Sequence, residues 1–557
     1  MTAGRWGRPA AGREPAAAAL LSWLADSAAP RLCMVTGGAR CGKSTLLAWL
    51  IAHGTRPATE VERRVHGFVP LAGRTATTAA WMLADQLSVV ARTPGELVSM
   101  LARDARRTVI VLPDLHAADD PGAVTELALA LLDVGHVRLI VEMRSGSTET
   151  EYERLTTVRS AVMDLDETRW TDQERYAERA AEPRPVAADA DTVDEELLDL
   201  DDPAAVCAAD PWRVSTLYER SGDGHGGLRA AWLRAGASLT REQERADRAV
   251  VLLAALGDDA DPRLPQALAS LTEGAPWRVI WRRVRGDIAP PWTGPTRALA
   301  AGRGPLAGQL VVADHQGTIR LLRSEDAVPV GRLSAPVPLP TALAAHPDGT
   351  VTTVDAQGRP HTQRGAPTAS GTGLSALLGG GATPLEQLLD DVRAYARKLT
   401  VTALASADRV LAVADGAGAV HAFTENGADP HTATLHRGPV TALAALDLQL
   451  AEGGGTVPVL YSGGMDGTVR AWAPHADPMA SPVLSRPCAV TALAVAATEG
   501  GPVLATAWAD GLVEHRALDS DTVRRFRPGI HVNAVVLTPA EQMIVGTDET
   551  LVCLRLA

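Results

Sequence analysis

Two glycines five positions apart, followed by a lysine and a serine, make Gly37-Gly38-Ala39-Arg40-Cys41-Gly42-Lys43-Ser44 the segment of this chain best suited to chemistry. The pattern is that of a phosphate-binding loop. Its glycines let backbone N–H groups close on phosphate oxygens, and a helix opening at the lysine adds the positive end of its dipole. In such a loop Lys43 meets the β- and γ-phosphates, the Ser44 hydroxyl holds Mg2+, and Thr45 lies near the α-phosphate. With 50 glycines in 557 residues and lysine only at positions 43 and 398, on the order of 0.002 chance occurrences are expected. Basic charge is otherwise carried by arginine, so Lys43 stands out as a place for a compact ammonium.

Phosphate chemistry also calls for an acid after a second buried strand, to hold the Mg2+ shell and polarise water. Thr108-Val-Ile-Val-Leu112 reads as that strand, and Pro113-Asp114-Leu-His116-Ala117-Ala118-Asp119-Asp120-Pro121 follows it. Asp114 is the Mg2+ candidate, with a helix-cap role as the plain alternative. A further strand, Val137–Glu142, delivers Arg144 to the same sheet edge, either as a γ-phosphate sensor or as a carboxylate's partner.

The elements that must position these residues alternate between helix and strand. Helical periodicity covers residues 17–26, 44–53, 77–90 and 123–132, and Thr93-Pro94-Gly95-Glu96 is a capping box that opens another helix. Apolar runs at 31–35, 66–71, 108–112 and 137–142 read as strands. Strands separated by helices of this length imply a parallel sheet covered on its faces. Residues 1–15 read as a disordered leader and 16–180 as the nucleotide-binding domain. Residues 181–202 form an acidic linker, with eight acidic side chains between 189 and 202. Residues 203–275 read as a small helical domain.

From residue 276 to 557 the texture changes. A short apolar segment recurs six times, at Arg297, Thr341, Thr402, Thr441, Thr491 and Asn533, at spacings of 44, 61, 39, 50 and 42 residues. Five copies read x-Ala-Leu-Ala, and each copy is followed by further strand-like runs. Repeats of this length with several strands each predict a β-propeller of six blades. The 61-residue gap holds Gly379-Gly-Gly381 and a helix opening at Pro384, read as an insertion, with a seventh degenerate blade as the alternative. The last repeat runs out after its third strand, and Trp277-Arg-Val-Ile-Trp281-Arg-Arg-Val284 is placed to supply the fourth. Ser462-Gly-Gly-Met-Asp466-Gly-Thr-Val-Arg-Ala-Trp472 and Ala345-His-Pro-Asp-Gly349 resemble the WD-repeat family. His346, His361, His421 and His436 are scattered and read as turn or surface histidines.

Residues 31–180 resemble the STAND class of P-loop NTPases. The phosphate loop, His66-Gly-Phe-Val-Pro-Leu-Ala-Gly-Arg-Thr75 with the helix after it, Arg144, and Trp170-Thr-Asp-Gln-Glu-Arg-Tyr176 carry the resemblance. The class implies ATP with Mg2+, a following helical domain and a C-terminal repeat domain. No guanine-reading N-K-x-D motif is present, so ATP over GTP rests on the class alone. One departure matters. Aligned through Ala118–Pro121, the acidic positions of the class fall on Pro113, His116 and Ala117; aligned through Asp114, the later acids fall on Ala117 and Ala118. The usual catalytic base is unmatched, so nucleotide binding is expected and turnover is at most slow.

The implied protein is a multidomain, cytoplasmic, ATP-binding regulatory scaffold whose propeller docks a protein partner, with nucleotide-dependent self-association left open. An active ATPase that remodels a partner, and a constitutive scaffold with a vestigial nucleotide domain, are the alternatives. A formal charge of −13 argues against nucleic acid as the main partner. Five cysteines without metal or disulfide spacing fit a reducing compartment, and no apolar run is long enough to span a bilayer.

Overall fold

The structure is a computed structural model describing residues 12–103, 106–146, 149–175, 177, 198–292, 294–365, 384–424, 429–449, 455–529 and 531–557. It divides into two bodies, residues 1–199 with 212–220, and residues 200–211 with 221–557.

The first body is an α/β domain. Five strands, β1 (Leu32–Thr36), β2 (Gly67–Phe68), β3 (Thr108–Leu112), β4 (Val137–Glu142) and β5 (Ser160–Asp164), form one sheet in the order β2-β3-β4-β1-β5. Every pairing is parallel. Period-two alternation sends Leu32 and Met34 of β1 to one face and Cys33 and Val35 to the other. The first face packs helices α3 (Ala76–Gln86), α4 (Pro94–Arg103) and α5 (Pro121–Asp133); the second packs α1 (Glu14–Ala25) and α2 (Lys43–Gly54). Both faces are thus dry, which explains why β1, β3 and β4 are apolar almost throughout. The parallel arrangement brings the loops after β1, β3, β4 and β5 to one edge.

The composition of residues 1–15 suggested a leader without structure. Residues 1–11 lie outside the described part. Arg13, however, is buried, and Glu14 opens α1 with Pro15 in its first turn. Most of the acidic linker also lies outside the described residues.

The second body holds a six-bladed β-propeller. Blade 1 comprises Thr296–Ala301, Gln309–Asp314, Ile319–Arg323 and Pro329–Arg332. Blade 2 shows three strands among the described residues, Ala342–Ala345, Thr350–Val354 and Pro360–Arg364. Blades 3, 4 and 5 begin at Val401–Ser406, Val440–Gln449 and Val490–Thr498, and each has four strands. Blade 6 takes Val532–Leu537, Gln542–Thr547 and Thr550–Leu556 from the end of the chain. Its fourth strand is β6 (Trp277–Val284), paired antiparallel with Thr550–Leu556 from Thr550↔Val284 to Leu556↔Trp277. The ring is closed by the strand the sequence offered for it, which gives blade 6 its fourth strand and covers the edge of Thr550–Leu556. The 61-residue gap yields the helix Pro384–Tyr395, which buries Leu388, Leu389 and Val392 against Val354 and Leu404, so the count is six blades.

The x-Ala-Leu-Ala repeat has a physical cause. Leu299, Leu343, Leu404, Leu443 and Leu493, with Val535 in the sixth copy, line one cavity of about 480 Å³ reached by the first strand of every blade. Each blade contributes one such side chain, which is what a rotational arrangement demands of its sequence. Three of the four histidines expected at turns or on the surface are instead interior: His346, His421 and His436 are all buried. His436 bonds Asp466 (3.0 Å) and Ser462 (2.8 Å), and His346 bonds Thr352 (2.8 Å) and Ser406 (3.1 Å).

Candidate functional site

The loop 37–42 leaves β1 and enters α2, the strand-to-helix context that its motif requires. Gly37 has φ 144° and Gly42 φ 95°, values that L side chains rarely adopt. A Cβ on Gly37 would stand 2.6 Å from Cys41 Sγ, and one on Gly42 would meet Arg13 Nε at 3.3 Å. Arg40 also takes a positive φ, 61°. The N-terminus of α2 has no side-chain cap, and Ser44 and Thr45 stand exposed in its first turn beside exposed Ala39 and Arg40. Uncapped N–H groups at the start of a helix, with hydroxyls around them, suit an anion.

Lys43 is buried. Its ammonium donates to the carbonyls of Gly37 (2.9 Å) and Gly38 (2.8 Å) and lies 3.7 Å from Glu142 Oε1. Glu142 is the last residue of β4 and is fully buried. Its Oε2 accepts from the Asp114 backbone N–H (2.8 Å), while its Oε1 is buried with no hydrogen-bond partner. Burial pushes the Glu142 carboxyl above its ordinary range, and the nearby Asp114 charge adds to that, against the hydrogen bond from the Asp114 N–H and the charge of Lys43.

Asp114 sits just past the end of β3 in the left-handed region (φ 60°, ψ 38°), which aspartate tolerates better than most residues. The turn after it, Leu115–Ala117, is pinned by buried Leu115 and turns His116 back toward the sheet edge. One ligand atom each from Asp114, His116 and Glu142 lie within 4.8 Å of one another. The Nδ1 of His116 is buried with no hydrogen-bond partner. Burial holds the His116 imidazole below its usual range, helped by the charges of Arg144 and Lys43 and opposed by Asp114. Arg144 stands exposed two residues beyond Glu142. The expected residues of the loop, Asp114 and Arg144 therefore share one edge.

Three residues here were not picked out from the sequence. Glu142 reads as the polar end of a strand, and only the pairing Val35↔Glu142 shows that it faces the loop strand. Asp166 follows β5, a strand with an apolar run of only three residues, Ala161–Met163, and its carboxylate accepts from the Gly38 N–H (2.8 Å). Arg13 donates to the Leu165 carbonyl (3.0 Å), the Thr171 hydroxyl (2.6 Å) and the Cys41 carbonyl, bracing the loop from behind. An arginine directly before a helix with a glutamate in its first turn was the available signal.

Asp119 and Asp120 lie further along the same loop. Asp120 caps α5 through the Ala123 N–H (2.9 Å), and Asp119 pairs with Arg220. Among the described residues no helix is long and apolar enough to cross a membrane.

No protein-family model matches the chain, and no curated protein matches it. Among solved structures it is similar to the computationally designed Ika8 protein, at 18% identity and a TM-score of 0.28 over 48% of this chain and 73% of that one. A score that low carries no argument, so the site is read from its own geometry.

Proposed function

We propose that the α/β body binds ATP with a divalent cation and that its nucleotide state governs docking of a protein partner on the propeller, as in the STAND class of P-loop ATPases with WD-type repeats. The observation that carries the reading is the loop itself. Positive-φ glycines, an uncapped helix N-terminus, the buried Lys43 ammonium and exposed Ser44 converge beside Asp114 at the carboxyl edge of a parallel sheet. Lys43 would exchange the Gly37 and Gly38 carbonyls for phosphate oxygens; Ser44 and Asp114 would hold the cation, which neutralises phosphate charge. Arg144 would approach the terminal phosphate. The propeller offers a rigid, broad surface with an apolar axis, which suits protein docking. The setting we infer is cytoplasmic.

Turnover is slow in this reading. The acids that follow Asp114 in chain order are Asp119 and Asp120, one paired with Arg220 and the other engaged as a helix cap. Ligand binding stabilises the fold that binds it, so ATP·Mg2+ raises the melting temperature of the wild-type α/β body and leaves Lys43→Ala unmoved. Equal shifts in both proteins overturn the assignment. Phosphate release at several turnovers per second that vanishes with Lys43→Ala replaces it with an active ATPase.

A further inference from the structure

We propose that Asp114, His116 and Glu142 form a metal site that takes a first-row transition-metal dication in preference to Mg2+. The inference deepens the nucleotide reading above and rests on it for its place beside the phosphates.

Three donors from two neighbouring strand ends meet here, two carboxylates and one imidazole, within 4.8 Å of one another. Ligands about 2.0–2.2 Å from a common ion stand at most about 4.4 Å apart, so a small inward movement seats all three. Two of the donor atoms make no hydrogen bond. Glu142 Oε1 and His116 Nδ1 are both buried without a hydrogen-bond partner, a cost that protein interiors ordinarily avoid. Glu142 Oε2 is taken by the Asp114 N–H, and Lys43 meets Oε1 only as an ion pair at 3.7 Å while it donates to Gly37, Gly38 and, at 3.8 Å, Cys41 Sγ. Buried Leu115 fixes the short turn that presents the imidazole.

The donor set decides the metal. Mg2+ takes oxygen ligands and keeps its water shell, so an imidazole adds little to its binding. Manganese and the later dications accept nitrogen as well as carboxylate oxygen. Lys43 competes for the same site, because its ammonium lies 3.7 Å from Glu142 Oε1. Drawing Lys43 toward phosphate frees Glu142 for the ion. Nucleotide and metal binding therefore reinforce one another, and removing Lys43 substitutes for nucleotide at the metal site alone.

The test uses the full chain and Mn2+ as the probe, without nucleotide, following the loss of the free-ion electron paramagnetic resonance signal. Wild type binds one Mn2+ and shows nitrogen modulation from an imidazole ligand. His116→Gln loses that modulation and roughly tenfold in Mn2+ affinity, while Mg2+ affinity, read by competition, changes little. Glu142→Gln loses both ions. Lys43→Ala binds Mn2+ roughly tenfold more tightly, although it no longer responds to ATP. Circular dichroism shows which variants are folded, and the nitrogen signal of wild type needs no variant at all. No bound Mn2+, no nitrogen modulation, or an unchanged Mn2+ affinity in His116→Gln overturns the site. An ATP-induced melting shift with no bound Mn2+ defeats this proposal and spares the nucleotide reading. Bound Mn2+ with nitrogen modulation and no ATP shift does the reverse.

Discussion

Asp415 in the propeller and Asp114 in the α/β body both stand at the end of a buried strand, and their carboxylates are used in opposite ways. Asp415 accepts the N–H groups of Ala417 and Ala419, both at 2.9 Å, and bonds His421 at 3.2 Å. Asp355 repeats the pattern with Gln357, Arg359 and His361, and Asp314 with Gln316, Thr318 and Arg320. In each case the partner six residues on comes from the next strand, so the acid ties a turn to its own blade. Asp114, by contrast, contributes to a cluster in which two buried donor atoms have no hydrogen-bond partner. An acid whose lone pairs are spent on its own backbone is structural; one held next to unspent neighbours is available to a ligand. The same distinction predicts which substitutions cost stability and which cost binding.

The largest effect belongs to the closing strand. Trp277 is buried, with its indole N–H on the Arg525 carbonyl (2.9 Å). Trp277→Ala leaves a cavity where the two ends of the propeller join and costs roughly 3–5 kcal/mol in denaturant unfolding of the propeller. A loss under about 1 kcal/mol would show that closure depends on strand pairing rather than on this packing.

Next comes a buried, heavily partnered acid of the propeller. Asp510 bonds Arg486 (2.8 and 3.0 Å) and Arg527 (3.2 Å), and Arg241 approaches to 3.6 Å. Burial works against its charge, yet Arg486 and Arg527, with the Leu512 N–H, outweigh burial and hold its carboxyl at about 2. Asp510→Ala strands three half-buried cations and costs about 3 kcal/mol in the same measurement. Because the folded value lies below the ordinary 3.8, this stabilisation is complete above pH 3.8 and disappears as pH falls toward 2.

A second acid limb comes from the buried histidines. Burial pushes His346 down to about 4, and burial with the charge of Arg524 does the same to His515. Both stay neutral in the fold where the unfolded chain takes up protons. Stability is therefore full above pH 6.5 and declines between 6.5 and about 4. His346→Gln keeps a hydrogen-bonding side chain and flattens this limb by about 2–3 kcal/mol, measured as the difference between unfolding at pH 7 and pH 4. An unchanged slope would mean that the ring is protonated inside the fold.

The two bodies were not equally legible. β3 and β4 were readable boundary for boundary, because strands covered on both faces are unbroken apolar runs. The closing strand Trp277–Val284 was readable because a repeat that stops one strand short requires a donor. β5 was not, since it is an edge strand with Val162 exposed between Ser160 and Asp164. The phosphate loop announced itself through spacing, but Glu142 did not. Chain order points to the acids after Leu112, whereas a parallel sheet supplies them from the neighbouring strand's end, 28 residues from Asp114. Arg13 was hidden by a Gly-, Pro- and Ala-rich context that resembles a disordered tail in composition. Short motifs and repeats are local and survive reading one residue after another; a site assembled across strands exists only once register is known.

The smallest expected effect is also the sharpest division between the two kinds of acid. Glu142→Gln keeps the shape of the side chain, can still accept the Asp114 N–H, and can donate its amide to the Asp114 carboxylate. It removes a carboxyl that burial already pushes above its ordinary range. A group whose folded value is raised stabilises at low pH and loses that advantage as pH rises through the folded value. Glu142 therefore costs the α/β body stability above pH 4.5, and the substitution lifts that cost. Against this stands the loss of the ion pair with Lys43. The two nearly cancel, and the net change at neutral pH is below about 1 kcal/mol, with the variant gaining on wild type as pH rises. Asp415→Asn leaves one oxygen for the Ala417 and Ala419 N–H groups, but replaces the oxygen that bonds His421 with an amide NH2, and costs about 1–3 kcal/mol in the propeller. Hydrogen exchange on peptides from β4 and from the blade 3 strand Val410–Asp415 reads each body separately in the full chain. If Glu142→Gln destabilises its body as much as Asp415→Asn does, Glu142 is a structural acid like those of the propeller, and the contrast between the bodies collapses.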